Sequence, residues 1–232
     1  PGDSSQWRYS LLGSYRQSAD YSPANLGQMG AVIERNASGQ QGWYLQALYQ
    51  ELYRGGANEL RQTQLKAGFE RAAVVLGQSC QQRIGADLQL LAFPVSDNLD
   101  GRYSGLFGRA YCPAYGLQLE WRLGQDQPVQ SSRPGGVQRQ YGIRVSKNIP
   151  LGAGTLAAEL EYTHQADETG YSPLLENNLP RQITRSVYRF EYSWAAGSVN
   201  PYIGFEWVSQ QANLPLFGVE NRQLTAGMHI KW

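Results

Sequence analysis

Thr225-Ala226-Gly227-Met228-His229-Ile230-Lys231-Trp232, the last eight residues of the chain, read with a period of two. With Gln223 and Leu224 before them, they put Leu224, Ala226, Met228, Ile230 and Trp232 on one face, and Gln223, Thr225, Gly227, His229 and Lys231 on the other. A soluble core gives a chain end no reason to finish on an aromatic side chain, because termini are usually polar and frayed. The closing strand of a transmembrane β-barrel does: its apolar row meets lipid and its polar row faces the lumen.

Working back from this strand, segments of about ten alternating residues separated by turn residues recur along the whole chain. Twelve are expected, near Gln6 to Gln17, Gln28 to Asn36, Gly42 to Tyr53, Thr63 to Leu76, Arg83 to Phe93, Arg102 to Tyr111, Tyr115 to Gly124, Gln138 to Asn148, Thr155 to Thr163, Thr184 to Trp194, Val199 to Ser209 and Arg222 to Trp232. The seventh alternates cleanly, with Leu117, Leu119, Trp121 and Leu123 opposite Gln118, Glu120, Arg122 and Gly124. The first, fifth and tenth behave alike, while the second, third and sixth are blurred. Arg71 falls in the outward phase of the fourth segment, which predicts a bulge or a rim position there. The connections support the assignment independently. Those from even to odd segments are short, such as Cys112-Pro113-Ala114, and those from odd to even are long, the longest running from His164 to Ile183. Outer-membrane barrels pair short periplasmic turns with long outer loops in this way. The expectation is an all-β, closed antiparallel transmembrane β-barrel of about 12 strands over residues 6–232, led by a periplasmic segment at residues 1–5, with both termini periplasmic.

Composition agrees. No apolar run approaches the roughly 18 residues that a membrane helix needs. Tyr (15), Trp (6) and Gly (26) are abundant, which suits aromatic girdles and strongly twisted strands. A soluble β-sandwich or lipocalin-like barrel also alternates, but it would bury its Tyr and Trp stripes, and twelve such stripes would demand a very large core. The net charge of +1 carries no polyanion signature, so nucleic acid is not an expected partner. Two His and two Cys without clustered spacing give no metal site and no cofactor is expected.

The inward phase carries the chemistry. Arg8, Arg16, Lys66, Glu70, Asp87, Glu120, Arg122, Arg144, Glu159, Glu161, Arg185, Arg189, Glu191, Glu206, His229 and Lys231 all fall in it, with both signs interleaved. Charges in a narrow barrel are costly unless paired or hydrated. Two readings stay open: a salt-bridge network that stiffens and partly closes the lumen, or a hydrated path for small polar solutes or an exported strand of polymer. Cys80 and Cys112 fall in neighbouring turns that the expected topology places in the oxidising periplasm, where they are either disulfide-bonded or two free thiols.

Thr225, Gly227, Ile230 and Trp232 resemble the C-terminal signal by which the bacterial barrel-assembly machinery recognises outer-membrane barrels. Arg139-Gln140-Tyr141, the stretch Gly170-Tyr171-Ser172-Pro173-Leu174-Leu175 closing at Arg181, and Asn213-Leu214-Pro215-Leu216-Phe217 are similar to the C-terminal barrels of outer-membrane export proteins that carry tetratricopeptide repeats. Those proteins include surface-lipoprotein assembly modifiers and exopolysaccharide exporters. The resemblance implies a Gram-negative outer membrane, partners in lipopolysaccharide and the lipid bilayer, an exported polymer or protein as cargo, and a pore domain belonging to a larger chain. A small-solute porin is the alternative from the same setting. A lipid hydrolase or deacylase is the alternative from another class, because such barrels carry a lipid-facing histidine near the outer rim, where His164 falls. Those hydrolases place serine two residues later on the same face, and here that residue is Ala166, with Ser172 too far along the loop. The chain is therefore not expected to be an enzyme.

Overall fold

Period-two alternation becomes strand throughout the computed structural model, which describes residues 6–17, 24–37, 41–194 and 199–230. The strands are β1 (Gln6–Gln17), β2 (Ala24–Ala37), β3 (Gln41–Arg54), β4 (Ala57–Val75), β5 (Gln78–Ala92), β6 (Gly101–Cys112), β7 (Leu117–Pro128), β8 (Gln138–Leu151), β9 (Gly154–Gly170), β10 (Pro180–Trp194), β11 (Val199–Ala212) and β12 (Val219–Ile230). They form one 12-stranded sheet in chain order, each strand antiparallel to the next. Helical structure among the described residues is confined to short 3₁₀ turns such as Asp97–Leu99 and Pro215–Phe217 in the connections. β1 and β12 are the two edges of this sheet, and no ladder joins them among the described residues. The expected closure is thus seen as twelve strands with an open seam. The expected leader at residues 1–5 and the last two residues, Lys231 and Trp232, lie outside the described residues.

The connections depart from expectation most at two places. β9 runs on to Gly170 and β10 begins at Pro180, so His164, expected at the start of the longest loop, lies within a strand; the other departure is the join of β3 to β4. β3 and β4 were expected to be joined by a long outer loop, but Gly55-Gly56 alone makes the turn. Both glycines have positive φ, 57° and 85°. That conformation suits a two-residue hairpin whose twist matches the strands, and only glycine adopts it without strain. The strands therefore run on to the turn, and β4 begins at Ala57 rather than Thr63. Arg71 resolves as a rim residue: the β4–β5 ladder runs without a bulge past it to Val75, and its guanidinium donates to Gln82 at 3.3 Å.

Cross-strand register sorts the side chains onto two faces. One carries Leu65 opposite Leu88, Leu106 opposite Leu123, and Phe190 opposite Phe205, which in turn faces Leu224. These apolar side chains are exposed, Leu11 by 90% and Leu123 by 48%. The buried apolar set among the described residues is small, chiefly Tyr44, Leu48, Tyr103, Ile183, Val187, Val208 and Leu214. The hydrophobic residues of this sheet form a belt around its outside instead of a core, the inverse of a soluble sandwich.

The other face is concave. Side chains three strands apart meet on it: Tyr44 of β3 lies edge-on to Phe107 of β6 at 6.2 Å, and Arg83 of β5 reaches Glu34 of β2 at 3.4 Å. Glycines make this curvature possible. Gly68 and Gly85 face each other across β4 and β5, and the Tyr44 ring lies over Gly68, where a Cβ would come within 2.7 Å of it. In the same way Gly227 lies beneath the Tyr202 ring, whose hydroxyl would stand 2.7 Å from an added Cβ.

Cys80 and Cys112 stand at the turn ends of β5 and β6 and are disulfide-bonded. Both are buried. The bond closes a separation of 32 residues and restricts the unfolded chain accordingly. Replacing both by serine is expected to lower stability by about 2 kcal/mol, within the usual range for a native disulfide. Urea titration of the two forms in detergent checks this, and coincident midpoints would show that the bond adds nothing.

Candidate functional site

Six consecutive strands each place one charged residue in a single cross-strand row on the concave face. In order from β9 to β4 these are Glu161, Arg144, Glu120, Arg109, Arg83 and Glu70. Directly opposed residues on one face are close enough to interact, so the row becomes a chain of ion pairs. Arg144 bonds Glu161 at 2.7 Å and approaches Glu120 at 3.5 Å; Arg109 approaches Glu120 at 3.6 Å, and Arg83 bonds Glu70 at 2.5 Å. Arg83 and Arg109, the one like-charged pair in the row, face each other. Each is drawn toward a different carboxylate. The chain continues at both ends, through Arg189 with Glu159 and Glu206, and through Glu34 with Arg8. Lys66 and Asp87 form a further pair at 3.8 Å toward the loop end.

These pairs run along the wall. Among the described residues, every concave-face pair between two strands joins neighbouring ones, except Arg83 with Glu34, which spans β2 to β5. Among the described residues, no pair bridges β3 or β4 to β8 or β9 across the concavity. A carboxylate satisfied by its own wall has no electrostatic reason to reach over the middle. Space remains there: a cavity of about 590 Å³ lies between β3 and β9, lined by Gln46, Gln62, Gln64, Gln89, Phe107 and Thr163 together with the charged row from Glu161 to Arg83. A second, of about 440 Å³, lies toward β12, beside Glu159, Arg189 and Gln223. Glutamine carboxamides donate and accept, and give such a wall neutral polar contacts between its charges.

Of the residues expected in the lumen, Arg8, Lys66, Glu70, Asp87, Glu120, Arg122, Arg144, Glu159, Glu161, Arg185, Arg189, Glu191 and Glu206 share this face by register. The backbone positions of Arg16 and His229 fall on it too. Lys231 lies outside the described residues. Glu34, Arg83 and Arg109 are members that the sequence reading missed. Glu34 and Arg109 sit in segments where alternation is blurred, and Arg83 is the first residue of the fifth segment. Its phase, shared with Gly85 and Asp87, carried the signal.

Toward the loop end the face carries two buried aspartates. Asp126, 4% exposed, bonds Arg133 of the β7–β8 loop at 2.5 Å. Asp167 accepts from Arg181 at 3.0 Å and from Gln138 at 3.0 Å. The Arg181 guanidinium also stacks on Tyr171 at 4.5 Å and on Phe217 at 5.0 Å, so one cation ties together the β9–β10 and β11–β12 connections. Sequence alone could not place the Arg181 contact with Phe217, because it joins two connections far apart in the chain.

His164 occupies the outer face near the loop end. Its Nδ1 shares a 3.0 Å hydrogen bond with the Thr184 hydroxyl, and its ring lies 5.0 Å from Tyr141. Ser172 is turned to its own loop, where its Oγ accepts from the Leu174 amide at 3.3 Å. No protein-family model matches the chain, and no curated protein matches it. Function therefore rests on the geometry of the concave face. Among the described residues no group of three or more His, Cys, Asp or Glu side chains is placed to hold a metal ion.

Proposed function

We propose that the chain is a transmembrane β-barrel of a Gram-negative outer membrane, closed by pairing of β12 with β1, whose lumen is a passage for export of polar cargo. An even strand number makes the first and last strands antiparallel, so the seam can continue the antiparallel ladder of the rest of the sheet. An open edge is untenable in lipid, where every backbone group must find a partner within the protein. The belt of exposed leucine and phenylalanine side chains supports lipid contact, and the disulfide suits an oxidising compartment. The β4–β5, β6–β7 and β8–β9 turns then lie on the periplasmic side, and the long connections, with the Gly55-Gly56 turn among them, outside.

The observation that carries the passage is the course of the ion pairs. They line the wall strand by strand and leave a cavity of about 590 Å³ beside them. Of the two readings open from the sequence, this favours the hydrated path. Planar-bilayer recording of the purified barrel is the test, and ohmic single-channel steps are expected. Loosening the wall with Glu161→Gln and Arg144→Gln together is expected to raise their size. Sealed traces from the wild type and from this double variant would overturn the passage.

A further inference from the structure

One cross-strand row toward the loop end from the charged row, the concave face carries Phe107, Arg122, Gly142, Thr163 and Arg185 in register. From β6 to β10 this row holds two cations and no carboxylate. Neither Arg122 nor Arg185 makes an ion pair among the described residues. Glu161, the carboxylate that Arg122 influences electrostatically, is already bonded to Arg144 at 2.7 Å. Lys66, Arg83, Arg109 and Arg144 likewise have their partners in the wall.

Arg122 has room as well as free valence. It leans over Gly142, where an added Cβ would stand 3.4 Å from its Nε and 3.0 Å from the Thr163 methyl group. Both Arg122 and Thr163 line the large cavity, whose charged side chains are five cations against three carboxylates. Glu34 and Glu70, just outside this lining, neutralise Arg83, so the cation left without a carboxylate among the described residues of the cavity wall is Arg122. A guanidinium so placed has the donors to take a carboxylate or phosphate oxyanion through two parallel N–H bonds. An unpaired fixed charge in the wall of a passage biases the sign of the ion that enters.

We propose that the cavity selects anions, and that Arg122 is the residue that bonds an entering carboxylate or phosphate group. The inference rests on the passage described above, and names the charge of what that passage admits. Under a tenfold KCl gradient across a planar bilayer, the reversal potential is expected to show chloride crossing about five times more readily than potassium. Arg122→Glu is expected to abolish or invert that preference. A conducting barrel with no preference, or one favouring potassium, would overturn the anion assignment and leave the passage standing.

A measurement that needs no current separates the two. The native cysteines are bonded to each other, so Thr163→Cys supplies a thiol of its own in the cavity. In detergent, its rate with a negatively charged methanethiosulfonate reagent is compared with its rate with a positively charged one, and the ratio is normalised to Leu174→Cys on a 93% exposed loop site. The normalised ratio is expected to be about ten, falling to within twofold of one when Arg122→Gln is added. A ratio near one in the presence of Arg122, or no reaction with either reagent, would sink the proposal. Absence of current counts against the passage, and the labelling ratio then decides anion selection by itself.

Discussion

Gly85→Leu is expected to abolish folding, and even Gly85→Ala is expected to cost about 3 kcal/mol or more, at the upper end of what overpacking does. Gly85 faces Gly68 across β4 and β5, and a Cβ there would overlap the Ala67 carbonyl oxygen and stand 2.8 Å from the Gly68 Cα. Those are backbone atoms, so no rotamer change relieves the clash. Relief would need the two strands to part, and their separation is held by ladder hydrogen bonds along the length of β5. The Tyr44 ring above Gly68 carries the Arg83 guanidinium on its face at 4.0 Å, so the damage would spread into the charged row. Gly13→Ala is the control, because nothing lies within 4 Å of its added Cβ; it is expected to change stability by less than about 0.5 kcal/mol. Folded barrels migrate differently from boiled ones on gels, and urea titration in detergent gives the difference in stability. A folded Gly85→Leu protein with an unshifted midpoint would mean that β4 and β5 are not this close.

Leu123→Arg and Gln140→Arg test which face meets lipid. Gln140 pairs with Gly124, the neighbour of Leu123, so the two sites sit at nearly the same height on opposite faces. In the middle of a bilayer, arginine on the lipid face costs about 2–4 kcal/mol. Leu123→Arg is expected to lose that much, with Gln140→Arg close to neutral in the hydrated concavity. A water-soluble protein would respond differently: Leu123 is 48% exposed, and a charge on an exposed site is worth no more than about 0.5 kcal/mol either way. Urea titration of both variants in lipid vesicles separates the outcomes. Equal midpoints for Leu123→Arg and the wild type would remove lipid from the outer face, and the membrane reading with it.

Strand number and facing were legible because alternation is a local property and each strand displays it separately. Leu117 to Gly124 shows it without a fault, and the structure turns Leu119 and Leu123 outward with Glu120 and Arg122 inward. Where small residues interrupt the pattern, as in β2 and β6, the phase is ambiguous over a few positions, and Glu34 and Arg109 were lost there. The Gly55-Gly56 hairpin was readable in principle from its two glycines. It was obscured because Ala57 to Gln62 is polar enough to resemble loop. The course of the ion pairs was not legible at all. Phase says which face a charge occupies, whereas pairing depends on register, and register links residues such as Arg144 and Glu161 only once β8 and β9 are aligned. The clasp of Arg181 on Tyr171 and Phe217 is more remote still, since it depends on the packing of two connections.

The bond between Cys80 and Cys112 bears on how such a sheet could enter a membrane. It ties the two feet of the β5–β6 hairpin, so the 31 residues between them form a covalent ring with the Asp97–Leu99 turn at its far tip. A ring cannot be threaded one strand at a time from a free end. Once oxidised, β5 and β6 must cross together, tip first, with their feet left behind on the side where the thiols were joined. The timing of that oxidation would thus choose between two orders of assembly for the same final sheet.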